Sequence, residues 1–523
     1  MKRKNLFRWS VVLMVLIALM MGAGTAFAQD GAADPAVVDD AVVSLNVLWV
    51  LLAGFLVFFM QAGFALVETG FTRAKNVTHT MMMNMMVFCV GALGFWLTGF
   101  ALEFGAVNHV YPAINGVSEW AFSPITLGDW SGLLDKPLLI GGSGFMGLSG
   151  FMLGGLSANF GVLAFFLFQM VFMDTAATIP TGSMAERLKF SGFILMALFV
   201  SMFIYPLIGN WVWGGGWLAN LGRSAGLGNG VVDFAGSGVV HMVGGTLALA
   251  GAMVLGPRIG RFNKDGSANA IPGHNIPMGV LGTIILFFGW FGFNPGSALG
   301  FVGPFRNLAV IAAVNTLLAG AAGGVAAMSY MWLVGSAKKP DAAASVNGIL
   351  AGLVAITAPC AFVSPAAAVL IGTIGGVIAC LATVLLEKLK IDDAVGAAPV
   401  HLFGGAWGVL AVGIFANGNP DTALWNGVES AVTGLLYGGS GQFVAQVIDV
   451  VAIFLVVFVT SYAFFKILAA FKVLRSAPAD ELAGLDLPEM GAEGYPKDWE
   501  PSPDALAPGI ARRGKQPVPA LGD

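Results

Sequence analysis

Long apolar stretches separated by short polar ones dominate this chain. Eleven such stretches lie at roughly 44–67, 79–102, 149–178, 190–212, 234–256, 274–293, 306–335, 343–359, 364–388, 397–416 and 442–472. Most approach or exceed the roughly 20 residues that an α-helix needs to cross a bilayer. A continuous helix is also the natural way to satisfy backbone polar groups in lipid. The pattern predicts an all-α polytopic membrane protein with eleven transmembrane helices.

Composition agrees with that reading. The chain is 57% hydrophobic and only 10% charged, whereas soluble domains carry about 25% charged residues. Its 73 glycines suit helices that approach closely where no hydrophobic effect drives them together. The net charge of -4 says little about partners. Three cysteines, Cys89, Cys360 and Cys380, lie in or beside apolar stretches with no CxxC. Neither a disulfide framework nor a metal site is expected.

The ends differ from the body. "MKRKNLFRWS" is basic, "VVLMVLIALMM" apolar, and "AFAQD" offers small residues for cleavage after Ala28. Residues 1–28 therefore read as a signal peptide, which places the mature N-terminus outside. Eleven crossings then place the C-terminus inside. Loop charge tests this independently. Loops assigned inside hold Arg73, Lys75, Arg187, Lys189, Arg258, Arg261, Lys264, Lys338, Lys339, Lys388 and Lys390, while those assigned outside hold Lys136, Arg223 and Arg306. The positive-inside rule favours this orientation. Residues 29–475 form the helical domain and 476–498 an acidic cytoplasmic tail. The Pro-rich residues 499–523 are expected to be disordered.

Two stretches repeat one another. In "DFAGSGVVHMVGG" Asp233 precedes His241 by eight residues, and in "DDAVGAAPVHLFGG" Asp393 precedes His401 by eight. Both continue V-H-x-x-G-G. They fall in the fifth and tenth predicted helices, so the repeat unit is five helices. An odd unit inverts the second copy in the membrane, giving two inverted five-helix repeats plus a final helix. At 1.5 Å per residue each His lies roughly 12 Å beyond its Asp. The two imidazoles then meet near the midplane from opposite sides. Buried histidines often serve packing alone, and a bis-His haem site would need a large planar cavity. Yet intramembrane titratable groups are costly and mark transport pathways. Asp233 also suits a helix N-cap. Phe168 and Phe172 lie one turn apart, Trp213 sits in "WVWGGGWL", and Trp290, Phe293 and Ser297 share "GWFGFNPGSA". Packing is the ordinary role of such residues, and a cage for a small cation is the alternative.

At these residues the sequence resembles the Amt/Mep/Rh ammonium transporter family, its bacterial Amt branch in particular. The resemblance runs from about Val47 to Tyr495 and rests on "GFALVETGFTRAKNV", "FQMVFMDTAATIPTGSMAERLKF", "VWGGGWL", "DFAGSGVVHMVGG", "PGHNIPMG", "GWFGFNPGSA", "DDAVGAAPVHLFGGAWG" and "GLDLPEMGAEGYP". It implies a non-enzymatic transporter of ammonium in the inner membrane, working as a homotrimer with one pore per subunit and no cofactor. By position it implies an outer recruitment site at Phe172, Trp213 and Ser297, supported by Asp233, and a stacked gate of Phe172 and Phe293. Phe168 and Trp290 match vestibule and pore-wall aromatics, and His241 and His401 match the twin histidines of the pore. The tail resembles a segment that packs under a neighbouring subunit and assists regulation by PII-type signal proteins. The same fold also serves ammonium sensors, which remains the alternative reading. Glu68, Asp174, Thr175, Thr178 and Gly396 depart from the better-known bacterial pattern. Glu68 stands where Tyr is common and Gly396 where a further acid is often found.

Overall fold

A computed structural model describes residues 35–109, 125–423, 425, 428 and 430–495. Residues 1–28, expected to be a signal peptide, and residues 499–523, expected to be disordered, lie outside the described residues. Among the described residues, nine helices are long and apolar enough to cross a membrane: Asp40–Phe71, Ala74–Phe104, Phe160–Met184, Phe190–Val212, Ser237–Leu255, Ile276–Gly296, Pro304–Leu333, Pro365–Lys388 and Ser440–Ala470. Two shorter apolar helices, Ala342–Thr357 and Pro399–Phe415, stand in the eighth and tenth places of the expected series.

The first of these is short for a physical reason. Sixteen residues from Ala342 to Thr357 span about 24 Å, less than the roughly 30 Å of hydrocarbon. Beyond Thr357 the chain stays buried inside the protein through Val363. The amide of Ala358 donates to Ser237 Oγ at 2.7 Å, and its carbonyl accepts from Phe234 N at 3.2 Å. Non-helical backbone is tolerated at depth where protein, rather than lipid, surrounds it.

The third span differs from its expected start at 149. It begins at Phe160, where Asn159 Oδ1 accepts from Val162 N at 2.9 Å. The preceding "GFMLGGLSAN" is apolar enough to mimic a helix, but Gly150 and Gly155 take φ of 83° and 77°. Before it, Pro137–Ile140 pairs antiparallel with Ser143–Gly147. This hairpin was absent from the all-helical expectation. It turns on Gly141 and Gly142, both at positive φ, as a two-residue hairpin turn demands.

The core lies where Phe160–Met184, the two histidine-bearing helices and Ala342–Thr357 meet. Phe160–Met184 and Ser237–Leu255 are the most enclosed spans. By contrast, Asp40–Phe71 and Ser440–Ala470 turn large apolar side chains outward, including Phe55, Phe59, Leu455 and Val459.

The described part of the tail, up to residue 495, docks on its own chain. Asp486 Oδ1 accepts from His79 N at 2.9 Å and Glu489 Oε2 from Phe190 N at 3.1 Å. Both amides belong to first turns of helices, whose N–H groups lack intrahelical acceptors. The tail's carboxylates therefore serve as caps from a distance and face the positive end of each helix dipole. Glu481 ties the arrangement further, accepting from Ile259 N at 2.7 Å and pairing with Arg475 at 2.8 Å.

Candidate functional site

Each histidine is placed by the same local device. Asp233 Oδ1 accepts from the amides of Gly236 and Ser237 at 2.8 and 3.0 Å, and its Oδ2 accepts from Gly238 and Val239 at 2.8 and 3.0 Å. Asp393 does likewise for Gly396, Ala397 and Ala398 at 3.0, 3.0 and 2.7 Å. In each copy the glycine three residues on takes a positive φ, 106° at Gly236 and 84° at Gly396. That conformation lets the chain fold back onto the carboxylate, and an L-residue would be strained there. Gly396 is thus the structural counterpart of Gly236, with the acid of that copy at Asp393.

Wide π-type turns follow, Ser237–Met242 and Pro399–Phe403. Such turns cluster at functional sites because they re-aim side chains. The second glycine of each V-H-x-x-G-G completes the arrangement. A methyl on Gly245 would lie 2.7 Å from the carbonyl carbon of His401, and one on Gly405 would lie 2.5 Å from Ser237 O. Each helix therefore accepts the other's turn against its bare backbone. The result brings His241 Nδ1 to 3.1 Å from His401 Nδ1, with ring centroids 5.2 Å apart. At that distance one ring carries a hydrogen on Nδ1 and the other presents a lone pair. His241 Nε2 is buried with no protein partner.

Aromatic rings continue the column on one side of the pair. Trp290 lies at 5.2 Å and Phe293 at 5.4 Å from the His241 ring, both stacked. Trp290 is held by its Nε1–H donating to Thr357 Oγ1 at 3.0 Å. Beyond Phe293 comes Phe172, stacked on it at 4.0 Å and 21°. These two rings separate the histidines from a small cavity lined by Phe168, Gln169, Phe172, Trp213, Phe234, Ser297, Leu299 and Trp425.

That cavity has the chemistry of a cation seat. Phe172 meets Phe168 at 4.6 Å and Trp213 edge-on at 6.1 Å. Trp213 is fixed by Nε1–H donation to the Asp233 carbonyl at 2.7 Å. Ser297 donates its own hydroxyl to Phe293 O at 2.9 Å, which leaves its oxygen lone pairs available as acceptors. Asp233 is not among the lining residues. Its carboxylate is spent on backbone amides, and it reaches the cavity only through its carbonyl and Trp213.

Of the nine residues expected at the site, eight fall into one column, Phe168, Phe172, Trp213 and Ser297 in the cavity, then Phe293, Trp290, His241 and His401, while the ninth, Asp233, stands behind it. Phe234, Trp425 and Gln169 were not anticipated. Trp425 stacks on Phe234 at 4.6 Å and donates Nε1–H to Ser297 O at 2.8 Å. Gln169 Oε1 is buried without a partner. Adjacency to an expected residue, Gln169 to Phe168 and Phe234 to Asp233, was the signal in sequence. On the far side of the histidines a second cavity is lined by Phe64, Val67, Glu68, Ile179, Leu286, Asn347, Leu350, Val395, Gly396, Ala397, Val400 and His401.

Residues 48–495 match the family model described as Ammonium Transporter Family. The chain belongs to the ammonium transporter family. Within that family it is 45% identical over 485 residues to Ammonium transporter Amt2 of Archaeoglobus fulgidus, covering 92% of this chain and 94% of that one. Ammonium transporter 1 member 3 of Solanum lycopersicum is 35% identical over 473 residues, covering 88% and 95%. Among solved structures, one titled Sensor Amt Protein aligns with a TM-score of 0.72 at 35% identity, over 86% of this chain and 99% of that one. Saccharomyces cerevisiae Mep2 aligns with a TM-score of 0.67 at 25% identity, over 83% and 87%.

Proposed function

We propose that this protein moves ammonium across the inner membrane by separating it into ammonia and a proton at His241 and His401. The observation that carries the reading is the Nδ1–Nδ1 contact of 3.1 Å set directly behind the stacked Phe172–Phe293 pair.

The steps follow from the residues. Ammonium rests against Phe172 and Trp213, whose faces attract a cation by about 0.5–2 kcal/mol each depending on desolvation. Ser297 accepts one of its hydrogen bonds. Phe168 and the other walls exclude water, and Asp233 keeps Trp213 and the His241 turn in place. Ammonium passes Phe172 and Phe293 to reach the histidines, and continuing beyond them through the apolar column as an intact ion would require desolvation costing tens of kcal/mol in the low-dielectric limit. Deprotonation removes that barrier for the neutral molecule. Ammonia then passes along the apolar column past Trp290, while the imidazoles, each able to accept and donate, relay the proton. Transport is electrogenic on this account. Potassium has the same charge and similar size, but it can neither donate a hydrogen bond nor lose a proton.

The wider assignment belongs to the same proposal. It comprises eleven crossings as two inverted repeats plus a final helix, N-out and C-in after removal of residues 1–28. It also comprises a homotrimer, and a cytoplasmic face carrying residues 476–498 that meets a PII-type protein. Support for opposed repeats comes from the two Asp–His turns, which enter from opposite ends of the column and meet at the histidines.

A sensing role is the second reading, favoured by the likeness to the structure titled Sensor Amt Protein. Solid-supported membrane electrophysiology on the reconstituted protein separates the two. An ammonium pulse gives a transient current if the protein transports charge. Silence in intact, ammonium-binding protein, together with no ammonium uptake into the same proteoliposomes, overturns transport and leaves sensing.

A further inference from the structure

The carboxyl of Glu68 lines the cavity on the far side of the histidine pair, and His401 lines it too. Among the described residues that line it, Glu68 carries the one carboxyl. Glu68 lies near the end of the first span, seven positions before Lys75, whose Nζ donates to the tail carbonyl of Glu481 at 3.0 Å. It therefore sits between the histidines and the face on which the tail docks.

Three spans cooperate to hold it. Asn84 Nδ2 donates to Glu68 Oε2 at 2.8 Å, and Thr181 Oγ1 lies 2.9 Å from both carboxyl oxygens. Asn84 is fixed in turn, its second amide hydrogen going to Thr80 O at 3.1 Å and its Oδ1 accepting from Thr178 Oγ1 at 3.3 Å. A carboxylate has about four acceptor positions, and these donors leave some of them open. Asp393, the nearby acid of the second repeat, accepts from three backbone amides and does not line this cavity. The cavity offers ≈ 30 Å³, room for one or two waters, with Glu68, His401 and Asn347 as polar partners.

We infer that Glu68 is the proton acceptor that empties the histidine pair toward the tail-bearing face. This rests on the deprotonation reading above. An N–H bond of the protonated His401 ring breaks as an O–H bond forms, through one water, and Glu68 passes from carboxylate to carboxylic acid. It then releases that proton to water at the tail-bearing face. The histidine pair returns to its neutral form and accepts the next proton, so no oxidant or further reactant is needed. Asn84 and Thr181 act as positioning residues, donating to the carboxylate and fixing its rotamer toward the cavity.

The test compares wild type, Glu68→Gln and Glu68→Asp at equal reconstituted amounts, with ammonium-pulse currents in H2O and D2O. Gln keeps the shape and can accept from Asn84, but it cannot take up a proton. Its current is expected to fall about a hundredfold, the scale of one lost acid–base group, and the solvent isotope effect to rise as proton release becomes limiting. Asp keeps the proton acceptor one methylene further back and is expected to recover at least a tenth of the wild-type current. A wild-type current and isotope effect in Glu68→Gln overturns the inference, as does an equal loss in both variants, which would mark a packing role. A wild-type protein without current overturns the transport reading instead.

Discussion

Replacing Asp233 with Ala removes a carboxylate that is 1% exposed and accepts four backbone N–H bonds of 2.8–3.0 Å. Those four amides open the His241 turn and lie where water reaches poorly. Each buried donor left without an acceptor costs about 1–3 kcal/mol, so four cost at least about 4 kcal/mol. Relief of the carboxylate's own burial offsets part of this, leaving a net loss of about 2–4 kcal/mol, toward and beyond the upper end of ordinary N-cap replacements. Asp233→Asn should fall between. Its Oδ1 can still accept from Gly236 and Ser237, but its amide hydrogens face those of Gly238 and Val239. Because the Asp233 carbonyl anchors Trp213, the loss should reach the cavity as well as the fold. Thermal unfolding of the purified protein and ammonium current at matched amounts check both effects. An Ala variant that melts with wild type and carries full current would refute the claim that this carboxylate organises the site.

Two further outcomes follow from the tail-bearing face. Truncation after Arg475 removes the caps that Asp486 and Glu489 give to His79 and Phe190, and it should lower transport or abolish pull-down of the host's PII protein. Truncation after Asp498 should change neither, and equal behaviour of the Arg475 truncation and the full chain in both assays would make the tail a passive extension. The second concerns Asp392, outside the spans. Burial alone would raise its carboxyl, but bonds from Arg258 at 2.8 and 3.0 Å and the charges of Arg187 and Arg258 override this and hold it down at about 2. The folded value lies below the ordinary 3.8, so the stabilisation is present above about pH 4 and lost as pH falls through about 2. Asp392→Asn should cost at least about 2 kcal/mol at neutral pH, with the gap to wild type closing in acid. A gap independent of pH would assign the loss to packing.

The parts legible in the sequence were those with a local or periodic signature. Apolar length announced most of the helices, and the eight-residue Asp–His spacing with V-H-x-x-G-G announced the paired turns, because both depend on neighbours along the chain. The start of the third span was not legible, since "GFMLGGLSANF" has a helix's composition and a glycine-bent backbone. Trp425 joins Ser297 from a loop 128 residues away, and no pattern near either position signals the contact. Glu68 stood out in sequence only as a departure. Its meaning came from Asn84 on the second span, Thr181 on the third and His401, a convergence that depends on packing rather than on order along the chain.

The central claim is that the histidine pair selects ammonium by requiring it to give up a proton. Its most direct test is the ratio of potassium to ammonium current on a supported membrane for wild type, His241→Asp and His401→Asp. The account predicts ammonium current alone in wild type, and in each variant either a potassium current or the loss of ammonium current. Unchanged ammonium current with no potassium current in both variants would contradict it.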